Sequence, residues 1–246
     1  MTALAALPTH RDEAFRYSDL AALAQVWPVA REEIRVAAGT GGGQAIVQDQ
    51  PGATIARHLV IVLEAGASYD LRVLNTGAAF GRIAIDVRLG EGANFTFGAA
   101  QLGSGEQTLE IVTDVQHEAR DANSRQVVRS VLAGHATGTY LGRVAVARGA
   151  DGTDAAQSVR AMLLDRTATA NAKPELEIYA DDVKCAHGCA VGELDANGLF
   201  YLASRGLPPE LAKRLMLQAF IAEAFVGAAD EAELSEAALA ALEALL

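Results

Sequence analysis

Nearly all the glycine in this chain lies in its middle: of 23 glycines, only Gly198, Gly206 and Gly227 fall outside the stretch from Gly39 to Gly192. A backbone with so many permissive positions must turn often. Between the turns the sequence offers only short runs, among them Ala45-Ile46-Val47, Leu59-Val60-Ile61-Val62-Leu63, Tyr69-Asp70-Leu71-Arg72-Val73-Leu74 and Arg82-Ile83-Ala84-Ile85-Asp86-Val87. Further runs are Leu109–Val112, Gln126–Val131, Gly142–Val146 and Val159–Leu164. Several alternate apolar and polar, and most end at glycine, asparagine or aspartate, as half-buried strands do. No helix of ten or more residues fits between them. About a dozen short strands without crossover helices leave a β-sandwich, a barrel or a β-solenoid. Imperfectly repeated phrases, Leu63-Glu64-Ala65-Gly66-Ala67 and Leu89-Gly90-Glu91-Gly92-Ala93, favour the solenoid, whose stacked coils share one apolar interior.

The flanks are rich in alanine and leucine and read as helix, which divides the chain into 1–33, 34–192 and 193–246. In the first part, Ser18 is the expected N-cap of a helix reaching about Val26, closed by Trp27-Pro28. In the last, Asp195 caps a short helix containing Leu199, Phe200 and Leu202 and ended by Gly206. Pro208-Pro209 then opens a longer helix to about Phe225. Its only polar stripe is Glu210, Arg214 and Gln218, so it must be covered on more than one side. The expected arrangement is a helical cap over the end of the solenoid, with Met216 and Phe220 also forming a docking face for a second protein. Asp230 with Glu233 resembles a capping box for a last helix carrying Leu234, Leu239 and Leu242.

Composition excludes several classes. A net charge of −11 disfavours nucleic acid and anionic membrane as partners. No apolar run approaches the roughly 18 to 20 residues that cross a bilayer. Residues 1–7 lack a basic n-region and soon meet Arg11-Asp12-Glu13, so no signal peptide is expected, and a cytoplasmic location is. There is no G-x-x-x-x-G-K-[ST] loop, so the chain is not expected to hydrolyse ATP itself. Gly39-Thr40-Gly41-Gly42-Gly43 reads as a surface turn. His10, His58, His117 and His135 are isolated, and Asp181-Asp182 reads as a turn, with a catalytic carboxylate pair as the alternative.

The chemistry concentrates in Cys185-Ala186-His187-Gly188-Cys189, which hold both cysteines of the chain. In extended backbone, the period of two puts Cys185, His187 and Cys189 on one face and only small residues on the other. Cys185 and Cys189 then lie about 13 Å apart, too far for a disulfide. They are also too far apart for one ion, whose ligand bonds are about 2.0–2.3 Å. A stable iron–sulfur cluster usually takes four protein ligands, so this row supplies at most part of a site. Two other readings stay open: a self-contained metal or redox protein using these three residues, and a β-solenoid carbohydrate-active enzyme using Asp181 and Asp182.

The phrase Lys173-Pro174-Glu175-Leu176-Glu177-Ile178-Tyr179-Ala180-Asp181-Asp182-Val183-Lys184-Cys185-Ala186-His187-Gly188 resembles the SufB/SufD family of iron–sulfur cluster assembly proteins, the SufD branch most closely. Val191–Asp195, Leu199–Leu207, Phe15-Arg16-Tyr17-Ser18-Asp19-Leu20 and Asn123-Ser124-Arg125-Gln126 carry the same resemblance. It implies a right-handed parallel β-helix between helical regions, acting as a non-catalytic scaffold. The implied partners are a SufB-like paralogue and a SufC-like ABC ATPase, and a homodimer is also compatible with it. By match to the family motif, His187 and Cys185 belong to the cluster-assembly interface and would share transient metal with the partner subunit, with Cys189 as an added donor. Arg205, Pro208, Met216 and Phe220 fall in the region implied to dock the ATPase. The cargo would be a transient Fe–S cluster; a reduced flavin is conceivable within the family, but no fingerprint here supports it. The sequence departs from the pattern in three ways. Cysteine stands at 189 where alanine is expected, the chain is short through missing N-terminal helical material, and the core lacks the cysteine of SufB's internal sulfur route.

Overall fold

The computed structural model describes residues 6–246; residues 1–5, on which part of the signal-peptide expectation rests, lie outside them. Twelve strands form two parallel six-stranded sheets. The first holds β1 (Arg31–Val36), β3 (Thr54–Leu63), β5 (Phe80–Leu89), β7 (Thr108–His117), β9 (Thr137–Val146) and β11 (Thr169–Ile178). The second holds β2 (Gly41–Gln48), β4 (Ser68–Thr76), β6 (Asn94–Gly103), β8 (Asn123–Leu132), β10 (Asp154–Leu163) and β12 (Lys184–Gly192). The chain alternates between sheets, so each strand stacks on the one two places earlier, as Phe80↔Thr108 and Asn94↔Asn123. This is a mainly β, parallel solenoid flanked by helices, as expected.

The alternating runs explain the interior. Leu59, Ile61 and Leu63 of β3 register with Ile85, Val87 and Leu89 of β5 and are fully buried. Across the interior they face Leu71, Val73, Phe95 and Phe97 of the second sheet. Full burial of each such side chain contributes roughly 1.5–3 kcal/mol. A slip of one residue would turn a whole row outward, which fixes the register. One corner of the solenoid repeats a left-handed turn: Gly39 (φ 67°), Gly66 (66°) and Gly92 (62°) each donate their N–H to the next coil, at Ala65, Glu91 and Arg120. Asp121 (φ 58°) takes the same place one coil on, a conformation that short polar residues tolerate. These stacked corners are the origin of the repeated glycine phrases. The glycine-rich stretch before Gln44 differs from expectation: only Gly39 lies in the turn, which the Thr40 N–H closes on the Ala37 carbonyl at 3.1 Å, and Gly41–Gly43 begin β2 beside Ser68–Asp70.

The N-terminal helix is shorter than expected, α1 (Leu20–Leu23), and its cap is Asp19 rather than Ser18. Asp19 accepts the N–H groups of Ala21 and Ala22, both at 3.0 Å. Ser18 is drawn away because its hydroxyl donates to Glu110 Oε2 at 2.8 Å. At the other end come α2 (Ala196–Ser204), α3 (Pro209–Ala222) and α4 (Glu231–Glu243). Asp195 caps α2 as expected, but Asp230 makes no side-chain cap; instead Glu231 accepts the N–H of Gly227 at 2.8 Å.

The position of these helices corrects the expected cap over the solenoid end. Leu217, Phe220, Ile221, Leu234 and Leu242 pack on Leu74, Ala100, Leu102 and Val131, on the outer flank of the second sheet. Two arginines of that flank complete the seat. Arg72 donates to the Ala224 carbonyl at 2.8 Å, and Arg129 pairs with Glu223 at 2.6 Å. A Cβ on Gly98 would lie 1.8 Å from the Ala224 oxygen, so the crossing itself requires glycine.

Candidate functional site

The solenoid ends in two strands that each have one neighbour: β11 pairs only with β9, and β12 only with β10. The turn between them uses Asp181 and Asp182, both exposed, and the Asp182 carbonyl accepts the N–H of Gly152 at 2.7 Å. These aspartates continue the corner of the preceding coils. The chain then enters β12, with Lys184 N–H donating to the Thr153 carbonyl at 2.8 Å.

Along β12, Cys185, His187 and Cys189 register with Ala155, Gln157 and Val159 of β10, all three of which are buried. The row therefore extends the interior face of the second sheet to its open edge. Cys185 is half-buried against the end of the core, beside Leu176 and Val183, whereas His187 and Cys189 are exposed. Cys189 Sγ leans on β11, 3.8 Å from the Ala172 carbonyl oxygen. Loss of hydration raises both thiols above the ordinary cysteine range; for Cys185 the neighbouring Asp154 charge adds to the rise, against a backbone hydrogen bond with Ala155. Both are thiols at neutral pH, and metal would have to displace the proton. Among the described residues, no three His, Cys, Asp or Glu side chains converge on a point that could hold a metal ion. The row offers soft ligands in a line, open to a second molecule.

The four residues expected to dock a partner do not share one surface. Arg205 and Pro208 are exposed, and the Arg205 guanidinium lies 5.2 Å from the Tyr201 ring centroid. Met216 is half-buried against α2, close to Gly198. Phe220 is 8% exposed and faces the sheet, with the Arg129 guanidinium 5.7 Å from its ring. The apolar residues that do face solvent here are Phe200 (76% exposed), Tyr201 and Leu215. The signal for Phe200 and Tyr201 was in α2 itself, which is apolar yet buries no residue.

Sequence reasoning also missed an ion pair beneath the N-terminal segment. Arg82 of β5 and Glu110 of β7 are 3% and 0% exposed and bonded to each other. Ser18 and the Asp19 N–H bind Glu110, Arg82 donates to the Ala14 carbonyl, and its guanidinium stacks 4.3 Å from the Phe15 ring centroid. A concavity of about 760 Å³ lies beside this clasp on the outer face of the first sheet, lined from Ala56 and His58 of β3 to Lys173 and Glu175 of β11. Several of its charged groups are paired with one another, as in His58–Asp86 at 2.8 Å and Arg143–Asp114 at 2.7 Å. No helix among the described residues is long and apolar enough to cross a membrane.

Residues 32–220 match the family described as SUF system FeS cluster assembly, SufBD core domain. The chain is 36% identical over 163 residues to Protein ABCI7, chloroplastic, of Arabidopsis thaliana, covering 65% of this chain and 34% of that protein. It is 32% identical over 142 residues to the iron-sulfur cluster assembly protein SufD of Escherichia coli, covering 58% and 34%. Against the Bacillus subtilis protein of the same name the identity is 34% over 121 residues, covering 49% and 28%. The chain thus spans about a third of the length of the curated relatives it matches.

Proposed function

The chain belongs to the SufB/SufD core-domain family, on its SufD side, and from that premise we propose that it is a scaffold subunit in iron–sulfur cluster assembly. Its part is to contribute donor atoms to a site that a SufB-like paralogue completes. The observation that carries this reading is the row Cys185–His187–Cys189, on the interior face of a terminal strand whose outer edge is open. An open parallel edge is a template for another chain. Here that edge brings thiol and imidazole with it, ligands suited to iron and sulfide, the cargo of the reaction. His187 and Cys185 are the donors offered, with Cys189 in support.

Dividing a site between two chains lets a conformational change assemble or expose it. The lever would be a SufC-like ABC ATPase docked on α2 and α3, with Arg205, Pro208 and Met216 at the contact and Phe220 supporting α3 from beneath. ATP turnover then belongs to the partner, and this subunit is non-catalytic. Residues 34–192 would serve as the body of the scaffold and 1–33 and 193–246 as its helical flanks.

The test is anaerobic cluster assembly by the chain co-purified with a SufB-like paralogue and a SufC-like ATPase. His187→Ala should slow assembly by at least about tenfold, the scale typical of losing a metal ligand or its support. The exposed position of His187 predicts an unchanged far-UV spectrum and urea midpoint. Wild-type assembly by the variant would remove His187 from the site and with it this reading.

A further inference from the structure

Polar side chains are buried in the interior at both ends of the solenoid, Gln48, Asn75 and Gln101 in its first coils and a second group in its last ones. Thr113, Gln126, Tyr140 and Gln157 are all 3% exposed or less. They are bonded together: Thr113 Oγ1 lies 3.0 Å from both Gln126 Oε1 and Tyr140 Oη, and Tyr140 donates to Gln126 Oε1 at 3.2 Å. Gln157 Nε2 donates to Tyr140 Oη at 3.3 Å. Burial pushes the Tyr140 phenol up to about 12, so it keeps its proton. The bond to Tyr140 orients the Gln157 amide, with nitrogen towards the phenol. Its oxygen, Oε1, is buried and has no partner. Buried polar atoms without partners are rare enough to require an explanation.

Register supplies one. Gln126, Gln157 and His187 occupy neighbouring places in a single row across β8, β10 and β12. Adjacent strands lie about 4.8 Å apart, so the side chain next to Gln157 in this row is the imidazole of His187. We infer that Gln157 is a positioning residue for His187, its Oε1 accepting an N–H of the imidazole so that the other ring nitrogen is held outward as a lone-pair donor. Metal-binding histidines are commonly held in this way, by an acceptor on the ring nitrogen away from the metal. The buried cluster through Tyr140 and Thr113 gives the acceptor its rigidity. The inference rests on the reading of His187 as a shared ligand, but the hydrogen bond can be observed without any cargo.

The experiment uses the full chain with ¹⁵N-labelled histidine, reading the ring nitrogens of His187 by long-range proton–nitrogen NMR in wild type, Gln157→Leu and Gln157→Glu. Wild type and Gln157→Glu, which keeps an acceptor, should each show a single dominant tautomer. Gln157→Leu should show the exchanging mixture of an unheld imidazole. In the assembled complex, Gln157→Leu should slow cluster formation at least about tenfold, with Gln157→Glu closer to wild type. A purely packing role predicts the opposite order, because a buried carboxylate disturbs the core more than leucine does. Ring signals that do not respond to Gln157→Leu overturn the inference; that is the result expected if Oε1 is taken instead by the Gln126 amide nitrogen, which also lacks a partner. If the signals respond but His187→Ala leaves assembly intact, the hydrogen bond stands and the functional reading fails.

Discussion

Glu110 and Arg82 show how much one coil of this solenoid can demand of a few residues. Their ion pair is out of water, and the N-terminal segment supplies the remaining hydrogen bonds through Ser18, Asp19 and Ala14. Removing one member of such a pair leaves a buried charge, so Glu110→Ala should cost about 3–5 kcal/mol, read as a lower urea midpoint. His117 makes a second prediction. It is fully buried, and loss of hydration holds its pKa down at about 4, against an ordinary value of 6.5. Between those values the unfolded chain takes up a proton that the folded chain refuses. Stability therefore falls as pH drops from about 6.5 to about 4, by on the order of 3 kcal/mol at the lower end. The difference in unfolding free energy between wild type and His117→Gln should carry that slope; a difference constant over the window would contradict it. The site row was legible at this scale, since strand periodicity alone puts Cys185, His187 and Cys189 on one face. Gln157 was not, because its relation to His187 depends on register between strands distant in sequence.

The strands were legible wherever branched apolar residues alternate with polar ones, as in β3 and β5. β6 was not among the runs noted, because its centre, Gly98-Ala99-Ala100, is small where the C-terminal segment crosses it. The C-terminal helices were legible from the Asp195 cap, the prolines at 208 and 209 and the apolar spacing, but not the side on which they lie, which is decided by apolar residues of β4, β6 and β8. Gly98→Ala tests this seat. Its Cβ meets the Ala224 carbonyl, so the C-terminal segment must lift, at a cost of about 1–3 kcal/mol. Hydrogen exchange should show the loss concentrated in α3 and α4, and uniform exchange would argue against the crossing. Phe220 and Leu215 separate fold from docking on the same helix. Phe220→Ala should lower stability by about 3–5 kcal/mol, whereas Leu215→Asp should leave the urea midpoint nearly unchanged and weaken binding of the ATPase in a pull-down. ATPase binding indifferent to Leu215→Asp would move the contact away from this face.

At the scale of the molecule, twelve strands build a solenoid whose last coil has no further coil stacked on it among the described residues, and the candidate row lies on that coil. Repetition in the sequence hinted at the stacking but obscured its regularity, because coil lengths vary: Thr54 is partnered by Phe80, whereas Thr137 is partnered by Thr169. On the proposed reading, the site is divided between this chain and a SufB-like paralogue. The most direct measurement is therefore the iron and sulfide content after anaerobic reconstitution of this chain alone, of a SufB-like paralogue alone, and of the two together. The account predicts that the pair retains a cluster through desalting and that this chain alone retains none, with the pair's yield falling when His187 is alanine. A cluster held stoichiometrically by the isolated chain would contradict it.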